Sequence, residues 1–157
     1  MKNSSRLNID LNAKFNSGLT AFHLACWNWQ EKTVEILMKK SVEFNIELNT
    51  KDNISLTAFH YACTNGQSKV VEMLMKNSSE FSFELNAKTI FGRTAFHGAC
   101  MFGRKNIIEL LIISSDSLNL DLTATDNQGR TGFKLAQDNG RQEVVTLIQS
   151  KMPNIAF

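Results

Sequence analysis

The feature that most constrains this chain is a seven-residue block that recurs at a fixed spacing. The block Thr-Ala-Phe-His-x-Ala-Cys begins at Thr20, Thr57 and Thr94, and a diverged copy, Thr-Gly-Phe-Lys-Leu-Ala-Gln, begins at Thr131. Successive copies start 37 residues apart. A fixed period between about 20 and 50 residues is the signature of a stacked-repeat protein, because each unit must bury its apolar face against the next.

Each unit carries the same signals for a polar turn followed by two helices. The Thr of the block is placed to cap the first helix, because its hydroxyl can accept from an early backbone N–H. Gly66, Gly103 and Gly140 suit the end of that helix, whereas Trp29 stands at this place in the first unit. The nearly wholly apolar residues 70–75 predict a second helix buried on several sides. The sequence therefore predicts an all-α solenoid of β-turn plus helix-turn-helix units.

The period divides the chain into one repeat domain with five segments. In order, they are the tail of a preceding repeat at residues 1–14, three repeats at 15–51, 52–88 and 89–125, and a C-terminal capping repeat at 126–157. The last segment is read as a cap because Lys134 and Gln137 replace the repeated His and Cys, and terminal repeats are usually atypical. We interpret the chain as a monomeric fragment of a longer protein; the alternative is an unusually truncated N-terminal cap.

Composition narrows the classes of function. The net charge is +2, from 17 basic and 15 acidic residues without a basic run, so nucleic-acid binding is not expected. No apolar stretch approaches the roughly 20 residues of a membrane-spanning helix. The three cysteines share one repeated position, which does not indicate a disulfide framework. These features predict a cytoplasmic protein, with the nucleus as the alternative compartment.

The residues with catalytic or metal-binding chemistry all lie in the repeated block. They are His23, His60 and His97, and Cys26, Cys63 and Cys100. A His and a Cys three residues apart share a helix face, so a metal site or a Cys–His nucleophile has to be weighed. A catalytic pair is needed once, whereas this pair recurs in three repeats, and no further ligands stand at metal-site spacing. We predict no enzyme activity, no metal and no cofactor, and keep a Cys–His hydrolase as a remote alternative.

The repeated pattern resembles the ankyrin repeat. Thr-Ala-Phe-His stands where that family usually has Thr-Pro-Leu-His, and Ala and the turn glycine follow. The resemblance covers essentially the whole chain and implies an ankyrin-type α-solenoid. The period of 37 exceeds the family's period of about 33. The added residues fall within 41–49, 78–86 and 115–123, where either the second helix is longer or the loop bulges. The alternating apolar residues of 44–49 favour extended chain.

The resemblance implies a non-catalytic scaffold that binds a protein partner on a concave face formed by turn tips and first helices. The candidate partner-binding residues are Phe15, Trp27, Asn28, Ile54, Thr64, Asn65, Ile90, Phe91, Arg93, Met101 and Phe102. Several of them are apolar where the framework needs no apolar side chain, and exposed apolar patches often mark interaction sites. The alternative is a structural spacer in a larger multidomain protein, with no partner of its own.

The resemblance also assigns structural and regulatory roles. The pairs Thr20–His23, Thr57–His60 and Thr94–His97 would tie the turn of one repeat to the next. Asn12, Asn49 and Asn86 are candidate hydroxylation sites, because they stand where ankyrin repeats of animal proteins can be hydroxylated. A mild basic stripe near the turns is read as solvated surface; it consists of Lys14, Lys51, Lys88, Arg93 and Arg130.

Overall fold

The computed structural model describes residues 10–153, which form a stack of helix pairs. Part of the predicted tail at 1–14 and the end of the predicted cap at 126–157 lie outside the described residues. The helices are α1 (Ala21–Trp27), α2 (Glu31–Lys39), α3 (Ser41–Phe44), α4 (Ala58–Asn65), α5 (Ser68–Lys76), α6 (Ser78–Phe81), α7 (Ala95–Met101), α8 (Lys105–Leu118), α9 (Gly132–Asp138) and α10 (Gln142–Lys151).

The helices stack in two rows that share one core. The first helices α1, α4, α7 and α9 pack in succession, and so do the second helices α2, α5, α8 and α10. Phe22, Phe59, Phe96 and Phe133 are buried at equivalent positions of the first row. The extended pairing within residues 10–153 is one isolated bridge between Thr125 and Thr131. The predicted all-α solenoid is confirmed.

The added residues of each repeat lengthen the second helix. In the third repeat α8 is continuous over 14 residues, whereas in the first two repeats a break at Lys40 or Asn77 separates a short further helix. All three extensions end on a residue with left-handed backbone: Asn45, Ser82 and Asn119, with φ between 50° and 53°. Asn tolerates this conformation better than most residues.

The segment from residue 44 to residue 49 is not the extended chain that its pattern predicts. Phe44 ends α3, Asn45 reverses the chain with a φ of 50°, and a turn follows. The alternation reflects burial, because Ile46 and Leu48 enter the core while Glu47 stays exposed. Two buried side chains separated by an exposed one need no strand when the turn after the helix directs both inward.

Across residues 10–153, no helix has the length and apolar character needed to cross a bilayer.

Candidate functional site

Each of the last three turns is organised by a side chain that accepts hydrogen bonds. Asp52, Thr89 and Asp126 stand at the first position of the turn, and the side-chain oxygen of each accepts from the backbone N–H groups two and four residues later. These hydrogen bonds hold the residues that follow the acceptor in a tight turn, and those residues form the tip of the repeat. The exposed tip residues are Asn53, Ile54, Ile90, Phe91, Asn127 and Gln128.

Hydrogen bonds join each tip to the tip of the neighbouring repeat. The side-chain amide of Asn53 donates to the carbonyl of Asn16 over 2.8 Å, and that of Asn127 donates to Ile90 over 2.9 Å. Between the second and third tips, the backbone N–H of Ile90 donates to the carbonyl of Ile54 over 3.1 Å. The tips therefore form one ladder along the stack.

His60 and His97 connect successive repeats beneath the tips. His60 Nδ1 lies 2.9 Å from the hydroxyl oxygen of Thr57 and accepts from the backbone N–H of that residue, while Nε2 lies 3.2 Å from the carbonyl oxygen of Arg93. His97 Nε2 makes the corresponding contact with the carbonyl of Arg130 at 3.1 Å. Because a carbonyl oxygen can only accept, Nε2 must carry the proton in both rings.

The same surroundings keep the histidines neutral. Burial lowers the pKa of His60 to about 4, and it lowers the pKa of His23 and His97 as well. His23 contacts the hydroxyl of Thr20 at 3.0 Å, but its Nε2 makes no hydrogen bond, so the predicted link from this pair to the next repeat is not formed through the ring. The rings of His60 and His97 each contact a threonine of their own repeat and a backbone carbonyl of the next, so they link neighbouring repeats.

The cysteines are enclosed in the core. Cys26, Cys63 and Cys100 have no exposed surface, and burial raises the pKa of all three thiols well above the usual value. Only a thiolate is an effective nucleophile. Within residues 10–153, no group of three His, Cys, Asp or Glu side chains is arranged to hold a metal ion.

A second set of inter-repeat bonds comes from residues that start the second helices. Arg104 Nε donates to the carbonyl of Thr64 over 2.7 Å, Arg141 Nε donates to that of Met101 over 3.0 Å, and Gln67 donates to that of Trp27. Each bond satisfies a carbonyl at the end of the preceding repeat's first helix, a group without an intrahelical partner. The sequence reading missed this set, although the residues stand 37 apart.

The candidate hydroxylation sites join the repeats on the side of the helix extensions. The side-chain amides of Asn12, Asn49 and Asn86 donate to the carbonyls of Asn45, Phe81 and Asn119 over 2.7, 2.7 and 2.8 Å. Asn49 and Asn86 also line two equivalent grooves, of about 540 and 450 Å³, between neighbouring extensions.

Apolar side chains are exposed along the tips and at the ends of the first helices. We call this surface, which comprises the turn tips and the C-terminal ends of α1, α4, α7 and α9, the tip face. Its exposed apolar members are Phe15, Trp27, Ile54, Ile90, Phe91 and Phe102. Phe91 and Phe102 are 52% and 43% exposed, whereas the last repeat has Gln128 and Asn139 at the equivalent positions.

An aromatic contact orders the first part of the tip face. The ring of Trp27 stacks on that of Tyr61 with centroids 5.2 Å apart, and the Tyr61 hydroxyl donates to Asp52 Oδ2 over 2.6 Å. Burial and this bond to a carboxylate raise the pKa of Tyr61 above its usual value. Trp27 is therefore held in place on its neighbour while 40% of it stays exposed.

Two arginines that share one carboxylate order the second part of the tip face. Asp126 Oδ2 accepts from Arg130 Nη2 at 2.8 Å and from Arg93 Nε at 3.4 Å. Burial alone would raise the pKa of Asp126, but hydrogen bonds from the side chain and backbone of Arg130 outweigh it and hold the pKa below its usual range. The Arg93 guanidinium lies 5.9 Å from the Phe91 ring centroid and 3.7 Å from Met101 Sδ.

Three of the polar candidates have contacts within their own helices or with the next repeat. The side chains of Asn28 and Asn65 donate to the carbonyls of Leu24 and Tyr61, at the ends of α1 and α4. The Thr64 side chain fills the space beside Gly98, because a Cβ added there would lie 2.6 Å from Thr64 Oγ1. The side-chain amides of Asn28 and Asn65 thus already have partners within the fold, and the Thr64 side chain packs beside Gly98.

A second exposed apolar surface lies on the second helices and their extensions. Val42 and Ile113 are 92% and 79% exposed, and Ile36 and Phe44 are also largely exposed. The sequence reading did not select them. Comparison between repeats indicates this surface, because polar residues stand at the position of Ile113 in the other repeats: Lys39, Lys76 and Ser150.

Comparisons with known proteins bear on the repeated units. A family model described as ankyrin repeats (three copies) matches residues 3–83 and 79–156, nearly the whole chain. A search of curated proteins returned no match. The family match confirms the resemblance seen in the repeated block.

Proposed function

Because the chain belongs to the ankyrin-repeat family, whose members are generally protein–protein interaction modules and typically non-catalytic, we propose that it is a non-catalytic scaffold that binds a protein partner on the tip face. The observation that carries the proposal is the exposure of Phe91 and Phe102 beside the half-buried Met101. Neither ring is needed by the fold, since polar residues stand at these places in the last repeat. Aromatic side chains are common binding hot spots.

The surface is built to bind without a large ordering cost. The tip ladder and the side-chain turns fix the backbone under Phe91, and the Arg93 guanidinium lies against its ring. Preorganisation of this kind leaves more of the contact free energy available for affinity. We place the protein in the cytoplasm, with the nucleus as the alternative. A structural spacer role is the alternative function.

The test is a quantitative pull-down from lysate of the source cell. A Phe91→Ala, Phe102→Ala variant is compared with wild type and with a control, Ile36→Ala, Ile113→Ala, which removes two exposed apolar side chains from the second helices. Circular dichroism checks that all three are folded. We expect a partner that the tip-face variant loses by at least about tenfold and the control retains. Equal capture by all three proteins would favour the spacer.

A further inference from the structure

Charge is distributed unevenly between the two rows of the stack. The segments that form the tips and first helices, residues 14–30, 51–67, 88–104 and 125–141, hold eight basic and three acidic residues. The rest of the described chain holds seven basic and twelve acidic residues. The overall charge of +2 therefore conceals a basic excess in the segments of the tips and first helices and an acidic excess in the rest of the described chain.

The acidic residues of the tip face already have partners within the protein. Asp52 accepts from the Tyr61 hydroxyl, Asp126 accepts from two arginines, and Asp138 forms an ion pair with Lys134 at 3.0 Å. Asp52 and Asp126 also accept backbone N–H groups of their own turns. What this surface can offer to a ligand is therefore positive charge.

Part of the excess positive charge lies beside the exposed apolar side chain of Phe91. Arg93 and Arg130 reach the same oxygen of Asp126, so two guanidinium groups face one carboxylate, and their side chains remain 28% and 27% exposed. A guanidinium has five N–H donors, more than these contacts use. Its planar arrangement suits a second carboxylate well. Phe91 and Met101 lie against Arg93 and supply apolar surface next to that charge.

We propose that the tip face binds an acidic peptide segment of its protein partner. An Asp or Glu side chain of that segment is bound by Arg93 and Arg130, and its apolar side chains contact Phe91, Met101 and Phe102. This inference rests on the proposed scaffold function and specifies the chemistry of the partner. A peptide fits better than a nucleic acid, because the basic residues are separated by apolar side chains and are not gathered in one run.

The first experiment selects phage-displayed random dodecapeptides on the immobilised protein. We expect the enriched peptides to carry Asp or Glu next to a large apolar residue, and we expect Phe91→Ala to reduce their capture. Enrichment of neutral or basic peptides, or of none, would overturn the proposal. A single-stranded RNA oligonucleotide is titrated in parallel, and tighter binding of the RNA than of the acidic peptides would also overturn it.

The second experiment assigns the charge contact. The strongest acidic peptide and its Asn or Gln counterpart are titrated by fluorescence anisotropy into wild type, Arg93→Gln and Lys32→Gln; Lys32 is an exposed base of α2. For wild type we expect the acidic peptide to bind roughly tenfold more tightly than its counterpart, as a charge-assisted hydrogen bond provides. Arg93→Gln should remove most of this preference and Lys32→Gln should not change it. A preference that survives in Arg93→Gln would contradict the assignment.

Failure of this inference can be told from failure of the scaffold function. If the pull-down partner is lost on Phe91→Ala, Phe102→Ala substitution but retained by Arg93→Gln, the scaffold proposal stands and the acidic-segment proposal falls. The comparison of the two peptides on wild type changes no protein residue, so it remains decisive if a variant folds poorly.

Discussion

At the residue scale, His60 and His97 are each fixed in one protonation state by the groups around the ring. His60 Nδ1 accepts from the backbone N–H of Thr57, and Nε2 faces the carbonyl of Arg93. A second proton on Nδ1 would point at that N–H, and the charged ring would be buried. Folding therefore favours the neutral ring.

The neutral histidines make stability depend on pH. The pKa of His60 falls from 6.5 to about 4 on folding. The neutral ring therefore contributes its full stabilisation of the folded state above pH 6.5, and this stabilisation is lost as the pH falls towards 4. Between pH 7 and pH 5 we expect the unfolding free energy to fall by about 2 kcal/mol from His60 alone. Urea titrations at these two pH values measure the change.

His60→Gln is the control for this prediction. It lowers stability at every pH but should show a smaller drop between pH 7 and pH 5. The pKa of Asp126 lies below its usual range, so this carboxylate does not titrate in that interval. The same pH dependence in wild type and variant would show that His60 is not the titrating group.

The sequence shows some residue-scale contacts and hides others. Threonine and histidine recur unchanged in the first three repeats, so their positions are visible without a structure. The turn acceptors at 52, 89 and 126 are Asp, Thr and Asp, and the residues at 67, 104 and 141 are Gln, Arg and Arg. Here a hydrogen bond is repeated while the residue type changes, and comparison of letters does not reveal it.

At the element scale, the end of α1 differs from the ends of the other first helices. Trp29 has a φ of 60° at the place where Gly66, Gly103 and Gly140 have φ between 66° and 80°. A side chain in this conformation is strained, and Trp29 is 63% exposed, so burial offsets little of the cost.

We expect Trp29→Gly to stabilise the protein. Removal of the left-handed strain stabilises the folded state, while the greater conformational freedom of glycine stabilises the unfolded chain. The net increase in unfolding free energy is expected to be about 0.5–1 kcal/mol. Gly140→Ala is the matched control: a Cβ there has nothing within 4 Å, so it should cost about 1 kcal/mol through the backbone alone. Both are measured by urea denaturation, and a destabilised Trp29→Gly variant would show that the indole contributes to the fold.

The apolar pattern of the second helices predicts only part of their length. Their apolar residues predict helices, but the extensions α3 and α6 carry the mixed sequences SVEF and SSEF. Each extension is followed by a left-handed residue, and an asparagine from the chain of a neighbouring repeat donates a hydrogen bond at its end, Asn12 to the carbonyl of Asn45 and Asn49 to that of Phe81. Neither factor is visible in a single period.

At the scale of the whole molecule, the effect of a residue depends on whether a repeat follows it. Gly92 and Gly129 are equivalent turn glycines with φ of 73° and 71°. A Cβ at Gly92 would lie 2.9 Å from the backbone N of Asn127 and would also meet the side chain of that residue. A Cβ at Gly129 has nothing within 4 Å.

Gly92→Ala should therefore destabilise the protein more than Gly129→Ala. Both substitutions carry a backbone cost of about 1 kcal/mol, and only the first breaks the tip ladder, for a further cost of about 1–2 kcal/mol. Thermal unfolding of the two variants under one set of conditions gives the difference. Equal melting temperatures would mean that the tips separate without cost to the stack.

The stacked fold can be predicted from the sequence more fully than the proposed binding surface. A period of 37 was enough to predict the stack. The candidates on the tip face came from the family resemblance. The resemblance does not show that Asn28 and Asn65 cap their own helices, or that Arg93 and Arg130 share Asp126. Those facts depend on side-chain directions across two repeats.

The bonds between repeats join residues at constant separations along the chain. Histidine contacts span 33 residues, the asparagine side-chain contacts between tips span 37, and the arginine contacts span 40. Duplication or loss of one whole unit preserves these separations, so most of the pairings can form again between the units that become neighbours. Array length can therefore change by gene duplication or by design in steps of one unit, with the same kinds of hydrogen bond at the new joint.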